Sequence, residues 1–284
     1  MLQSNKRLPI GKLKNMKNIF FLGCGKMGSI ILQNLLEENS FEASQIKILK
    51  RSEDNKISGL DYIKNIAELP KNYKADLVFI AIKPQDAAAI LEEFSKAKIL
   101  NKKTIFVSIL AGKKIQFFEK IFGKDAKIVR SMPNLPIQYS QGIFPYLCNK
   151  NLKKVEIEKL KTIFDKFGSA FKISNEKLFD VATAIFGSGP AYIFLLQEIF
   201  AEIAIKCGIK KSESENLVKK LFLGSSLMSE FSEKKFSELR ESVTSKNGTT
   251  AAATKVLQKN SDLKNIFTKA IDAAIIKSQE ISRD

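Results

Sequence analysis

Phe20-Phe21-Leu22-Gly23-Cys24-Gly25-Lys26-Met27-Gly28 runs a short apolar strand into glycines spaced G-x-G-x-x-G, and the helical stretch Ser29–Glu38 follows at once. Each glycine answers a steric demand. Gly23 permits a tight turn, Gly25 lets a diphosphate approach the backbone, and Gly28 allows the helix to pack closely on the strand. The helix N-terminus then presents unpaired N–H groups to negative charge. With a strand before it and a helix after it, this spacing predicts the phosphate-binding turn of a Rossmann domain.

Working outward, short apolar runs alternate with amphipathic stretches from Asn18 to Met132, the pattern of βαβ units and a parallel sheet. Strands are expected near Asn18–Leu22, Ile46–Lys50, Asp76–Ala81, Thr104–Ile109 and Lys127–Arg130, with crossover helices over Met27–Glu38, Gln85–Phe94 and Lys114–Ile121. Lys83-Pro84 and Ala111-Gly112 each follow a strand directly, so both fall at carboxyl ends, where open α/β sheets bind ligands. An NAD site places Asp or Glu about 20 residues past the glycine turn. Here the end of the second strand reads Leu49-Lys50-Arg51-Ser52. Cationic and hydroxyl groups suit a ribose 2′-phosphate, because the arginine fork matches phosphate and a carboxylate repels it. NADPH is the expected cofactor and NADH remains compatible, with Glu53 or Asp54 as alternative ribose contacts.

Near Pro133–Pro136 the character changes. Gln141–Leu147 reads as an edge strand, and beyond Lys150 the apolar spacing is helical, over Leu152–Phe167, Lys177–Ile185, Ala191–Cys207, Glu213–Phe231, Phe236–Val243, Thr250–Gln258 and Leu263–Glu280. A chain of 284 residues exceeds the roughly 100–200 of one domain. The division expected is an α/β domain over 16–150 and an all-α domain over 151–284. Residues 1–15 read as a flexible extension without the apolar stretch of a secretory signal.

Composition removes several classes of function. The formal charge of +17 comes from 47 Lys and Arg against 30 Asp and Glu. The lysines are interleaved with acids, as in Lys153-Lys154-Val155-Glu156-Ile157-Glu158-Lys159, which marks solvated helix faces and argues against nucleic acid as a partner. Anionic small molecules are still favoured by the charge. The chain has no histidine, which removes Ser-His-Asp, Cys-His and His-metal chemistry. Cys24, Cys148 and Cys207 lack C-x-x-C spacing, so no metal site or disulfide framework is expected, and a reducing, cytoplasmic location follows. No uninterrupted apolar run reaches the ~18–20 residues of a membrane span. Any redox chemistry must therefore be borrowed from a cofactor.

One segment of the helical half stands apart. Leu239-Arg240-Glu241-Ser242-Val243-Thr244-Ser245-Lys246-Asn247-Gly248-Thr249-Thr250 leads small hydroxyl residues and a glycine into a helix start, so hydroxyls and unpaired N–H groups converge at a point able to bind a carboxylate. An ordinary N-cap by Thr249 or Thr250 is the plainer alternative.

With this segment in view, the sequence from about Met16 to its end resembles the pyrroline-5-carboxylate reductases. The resemblance rests on Leu22–Gly28, Ala81-Ile82-Lys83-Pro84-Gln85, Ser108–Gly112, Arg130-Ser131-Met132-Pro133-Asn134, Gly187-Ser188-Gly189-Pro190-Ala191-Tyr192, Val243-Thr244-Ser245 and Gly248-Thr249-Thr250, in that order. It implies an N-terminal α/β Rossmann domain plus an all-α C-terminal dimerisation domain, with the active site completed by a partner subunit. It also implies NADPH-dependent reduction of L-1-pyrroline-5-carboxylate to L-proline, the last step of proline biosynthesis. Carried over by position, cofactor contacts fall on Leu22, Gly23, Cys24, Gly25, Lys26 and Met27, on Ser52 and Asn65, on Ala81, Ile82, Lys83 and Pro84, and on Ile109, Leu110 and Ala111. Gly28 and Arg51 join them from the motif and the basic strand end. Substrate contacts fall on Glu176, Ser245, Gly248, Thr249 and Thr250, with the Thr250 hydroxyl as the catalytic group at the ring nitrogen. Lys246 and Asn247 stand where the family pattern has proline and glycine, and Leu135 where it has threonine. Two other readings stay open: a β-hydroxyacid-type dehydrogenase using Lys206, Lys219 or Lys220, and a non-catalytic NADP-binding regulator.

Overall fold

The computed structural model describes residues 16–38, 40–52 and 56–282. The expected extension 1–15 and the alternative ribose contacts Glu53 and Asp54 lie outside them.

Apolar runs of four residues, buried along their whole length, make the centre of one sheet: β1 (Ile19–Leu22), β4 (Leu77–Ile80) and β5 (Ile105–Ser108). Around them stand β2 (Ile46–Leu49), β3 (Asp61–Ile63), β6 (Lys127–Ser131), β7 (Gly142–Cys148) and β8 (Gly168–Lys172), in the order β3-β2-β1-β4-β5-β6-β7-β8. All pairings are parallel except β6 with β7. Because β1 sits between β2 and β4, the winding reverses there and leaves a crevice at the carboxyl ends of β1 and β4.

Both faces of the sheet are covered, which explains why its strands are continuously apolar rather than alternating. Ile19, Phe21 and Phe79 pack toward α1 (Lys26–Glu37) and α4 (Lys154–Phe164), and Phe21 stacks on Phe79 at 4.8 Å. Phe20, Leu22 and Phe106 pack toward α2 (Ala87–Ser95) and α3 (Ile115–Phe122), and Phe20 stacks on Phe94 at 5.5 Å. Each such side chain removed from water contributes roughly 1.5–3 kcal/mol.

The sequence expectation requires two corrections. Gln141–Leu147 is a strand but not an edge, because β8 pairs along it. The sheet unit also does not stop at 150: α4, β8 and α5 (Glu176–Ala182) belong to it, and the chain divides at Gly187, with residues from Ile275 onward returning to the sheet unit. Separately, and without an uninterrupted apolar run, α5, a π-helical turn at Thr183–Gly187 and α6 (Gly189–Lys206) join into a helical stretch that is long and apolar enough to cross a membrane by length and composition alone. Pro190 lies in the first turn of α6, where its missing N–H costs nothing.

The second unit, Ser188–Ala274, is helical. It contains α6, α7 (Lys211–Glu230), α8 (Phe236–Ser242), α9 (Thr249–Leu257) and the first part of α10 (Asp262–Ile281). Phe200 meets Phe222 edge-on at 5.6 Å, and the buried Ser214 hydroxyl donates to the Ala201 carbonyl at 2.9 Å, fixing α6 against α7. Phe194, Leu195 and Ile203 on α6, Leu217 and Leu221 on α7, and Phe231 just past its end remain exposed.

Candidate functional site

At the end of β1 the chain must turn beneath the neighbouring strand. Gly23 takes φ +80°, and a Cβ there would stand 2.7 Å from Ile82 Cγ2 and 2.8 Å from the Ala81 carbonyl oxygen. No other residue type fits both the dihedral and the space. Its N–H donates to the Leu49 carbonyl at 2.9 Å. Gly28 lies against Ala81 Cβ, at 3.0 Å from its own missing Cβ, and lets α1 seat on the sheet. At Gly25 no atom of the surrounding structure comes within 4 Å of the Cβ position. Gly25 is also the N-cap of α1 and no side chain caps that helix, so the first-turn amides of Lys26, Met27 and Gly28 are not taken up by a capping side chain. This cradle fits a diphosphate. Cys24 turns inward, 3% exposed with Sγ 3.6 Å from Ser29 Oγ, and burial pushes its thiol pKa up.

The other expected cofactor residues gather at the carboxyl ends of β2 to β5. Ala81 continues β4, its N–H bonded to the Leu22 carbonyl, and leads through Ile82 and the exposed Lys83 into a short turn begun by Pro84. After β5, the buried Ser108 hydroxyl accepts from Leu110 N at 3.2 Å and holds Ile109–Ala111 in a defined path. At the end of β2, Arg51 and Ser52 are exposed, and Arg51 makes a loose 3.6 Å pair with Glu93. The basic group there is available to an anion. Asn65, beyond β3, uses its side-chain oxygen to accept from Ala67 N at 2.9 Å. The residues present therefore fit a phosphorylated dinucleotide.

Glu176 opens α5 in the sheet unit, and both of its carboxylate oxygens are engaged: Oε1 accepts from Ile115 N at 3.0 Å, and Oε2 pairs with Arg130 Nη1. Arg130 belongs to the Arg130-Ser131-Met132-Pro133-Asn134 segment at the end of β6. Its one signal is an arginine inside the apolar strand β6. Asn134, from the same motif, accepts from Ile143 N at 2.7 Å and donates to the Phe186 carbonyl at 3.0 Å, tying β7 to the end of the π-turn.

In the helical unit, Ser245-Lys246-Asn247-Gly248 closes a four-residue turn, with Gly248 N donating to the Ser245 carbonyl at 3.1 Å. Asn247, third in the turn, has φ +61°, the left-handed value that glycine or asparagine supplies there. Gly248 is the N-cap of α9, and no side chain caps that helix, so neither Thr249 nor Thr250 acts as an ordinary cap. Ser245 Oγ lies where a Cβ on Gly248 would be, at the start of the helix. Ser245, Gly248, Thr249 and Thr250 are thus brought into one short loop and helix start. Among the described residues no group of three or more His, Cys, Asp or Glu side chains could hold a metal.

A doubly wound sheet with a glycine cradle at its topological switch point, followed by a helical unit, defines a dinucleotide-dependent oxidoreductase architecture. Known proteins make this specific. Residues 176–281 match the family model described as pyrroline-5-carboxylate reductase dimerisation, and residues 18–112 match that of an NADP oxidoreductase, coenzyme F420-dependent. The structure of a Plasmodium falciparum pyrroline carboxylate reductase with NADP bound is 30% identical, covers 94% of this chain and 100% of its own, and superposes with a TM-score of 0.81. A pyrroline-5-carboxylate reductase from Coxiella burnetii is 31% identical, with coverage of 94% and 99% and a TM-score of 0.86. The enzyme of that name from Staphylococcus aureus (strain COL) is 29% identical over 273 residues, 94% of this chain and 98% of its own. The chain belongs to the pyrroline-5-carboxylate reductase family of oxidoreductases.

Proposed function

We propose that this chain reduces L-1-pyrroline-5-carboxylate to L-proline with NADPH, the last step of proline biosynthesis. The observation that carries the reading is the turn before α9. Asn247 adopts the left-handed conformation at the place where the family pattern has glycine, so the loop keeps its path and Ser245 Oγ stays at the helix start despite Lys246 and Asn247.

When bound, NADPH supplies a hydride to the C=N carbon. Gly25 and the first turn of α1 hold the diphosphate, Arg51 and Ser52 hold the 2′-phosphate, and Asn65, Ala81–Pro84 and Ile109–Ala111 line the remainder. Ser245 and the amides of Gly248–Thr250 bind the substrate carboxylate, and the Thr250 hydroxyl bonds at the ring nitrogen. Threonine is too weak an acid to protonate a free imine, so the proton arrives from solution and the residues contribute chiefly by positioning.

The exposed apolar side chains of α6 and α7 are covered by a second copy of the chain, a reading supported by the match of this region to a dimerisation model. Light scattering on the purified protein is expected to show a dimer or a multiple of it. Three free cysteines accord with the reducing cytoplasm. Thr250→Ala tests the assignment: it should lower kcat while leaving NADPH affinity nearly unchanged, and equal loss of both would misplace the residue.

A further inference from the structure

A cavity of about 590 Å³ opens on the sheet unit where α4 covers β7 and β8, and none of its lining residues takes part in the proposed reduction. Its volume falls in the range of small-molecule sites. Lys154, Ile157, Glu158 and Lys161 follow one another on α4 at i, i+3, i+4 and i+7, so all four share one face of the helix. Tyr146 of β7 is the register partner of Lys172 of β8, which puts both side chains on the face of the sheet that α4 covers. Along the sheet, β7 stands four strand spacings from β1, roughly 19 Å from the glycine cradle.

Tyr146 is 2% exposed, and its ring meets Phe164 edge-on at 5.3 Å. Phenylalanine would pack there as well, so the hydroxyl is the part that calls for a partner. Among the described residues it has none, and its oxygen is not sealed from solvent, so it opens into the cavity. Burial, and after it the neighbouring Cys148, Asp165 and Glu158, push its pKa up to about 12, so the hydroxyl keeps its proton and is free to donate. Of the charges around it, Lys161 is taken up by Asp165 at 2.6 Å. Lys154, Lys172 and Glu158 have no ion-pair partner among the described residues. Leu152 and Ile157 supply an apolar wall. Three lysines against Glu158 and Asp165 leave one positive charge, which a single carboxylate neutralises, while Glu158 repels a dianion.

We propose that this cavity is a binding site for a small monocarboxylate with an apolar body, held by Tyr146, Lys154 and Lys172 and separate from the dinucleotide crevice. The carboxylate accepts a hydrogen bond from the Tyr146 hydroxyl and pairs with the two unengaged ammonium groups, bonds strengthened by its charge. The apolar body lies on Leu152 and Ile157.

The test titrates the full-length protein, in the presence of NADPH, with 4-phenylbutyrate as the probe, reading the Kd by calorimetry and the contact by saturation-transfer NMR. The wild type should bind it. Tyr146→Phe and Lys172→Met should each raise the Kd about tenfold or more, as for the loss of one bond to a charged group. Tyr146→Phe should keep the wild-type thermal midpoint, since the hydroxyl it removes bonds to nothing in the fold, and the exposed Lys172 gives a second variant that leaves the core untouched. Uncharged 4-phenylbutanol and the dianion benzylmalonate should both bind more weakly than the probe. No binding by the wild type, equal affinity in both variants, or equal affinity for the alcohol or the dianion would each overturn the site. None of these readouts depends on turnover, so they stand apart from the fate of the proposed reduction.

Discussion

Ser245 Oγ lies 2.2 Å from the point where a Cβ on Gly248 would stand. Gly248 has φ −83°, open to any residue, so the hydroxyl and not the backbone demands glycine here. Gly248→Ala should fold normally yet displace Ser245. The expected result in steady-state kinetics is a substrate KM raised about tenfold or more, with NADPH affinity unchanged.

Two glycines of the phosphate turn should separate stability from binding. Gly23→Ala forces a left-handed alanine against the Ala81 carbonyl, costing at least about 1–2 kcal/mol for the dihedral alone. Gly25→Ala meets no neighbour and has φ −78°, so it should leave the thermal midpoint nearly unchanged while weakening NADPH strongly. Thermal denaturation beside NADPH titration checks both.

Arg51 is exposed and its 3.6 Å pair with Glu93 is between two exposed side chains, so little is lost from the fold when that pair is removed. Arg51→Ala should weaken NADPH more than NADH, and the difference should shrink as salt screens the phosphate. Equal effects on the two cofactors would remove the 2′-phosphate assignment.

Asn134 is 6% exposed and satisfies both Ile143 N and the Phe186 carbonyl. Asn134→Ala strands two polar groups, and denaturant unfolding should show a loss of about 2–4 kcal/mol.

The cysteines should differ in reactivity. Burial pushes the Cys148 thiol up to about 11 and raises Cys24, and both shifts reduce the thiolate present at neutral pH. Cys207 is exposed. Alkylation of the native protein followed by peptide mass mapping should therefore label Cys207 first, with Cys24 and Cys148 gaining reactivity only as pH rises.

The parallel core was legible because β1, β4 and β5 are apolar throughout and each is followed by a turn signal or glycine. β3 and β8 were not. Asp61-Tyr62-Ile63 is too short to show a period, and Gly168-Ser169-Ala170-Phe171-Lys172 follows a helix whose apolar spacing runs straight into it. The glycine turn could be read in advance, since Gly23, Gly25 and Gly28 each meet a local demand. Asn247 was legible as a residue that tolerates the left-handed region. The surroundings of Glu176 were not legible, because its partners Arg130 and Ile115 lie 46 and 61 residues away in sequence and only the folded sheet brings them together.

The most direct measurement of the central claim is turnover by the purified protein given NADPH and L-1-pyrroline-5-carboxylate, following loss of NADPH while quantifying L-proline. One proline formed per NADPH consumed is the expected result. NADPH binding without oxidation at saturating substrate would contradict the account and leave a dinucleotide-binding protein without this reaction.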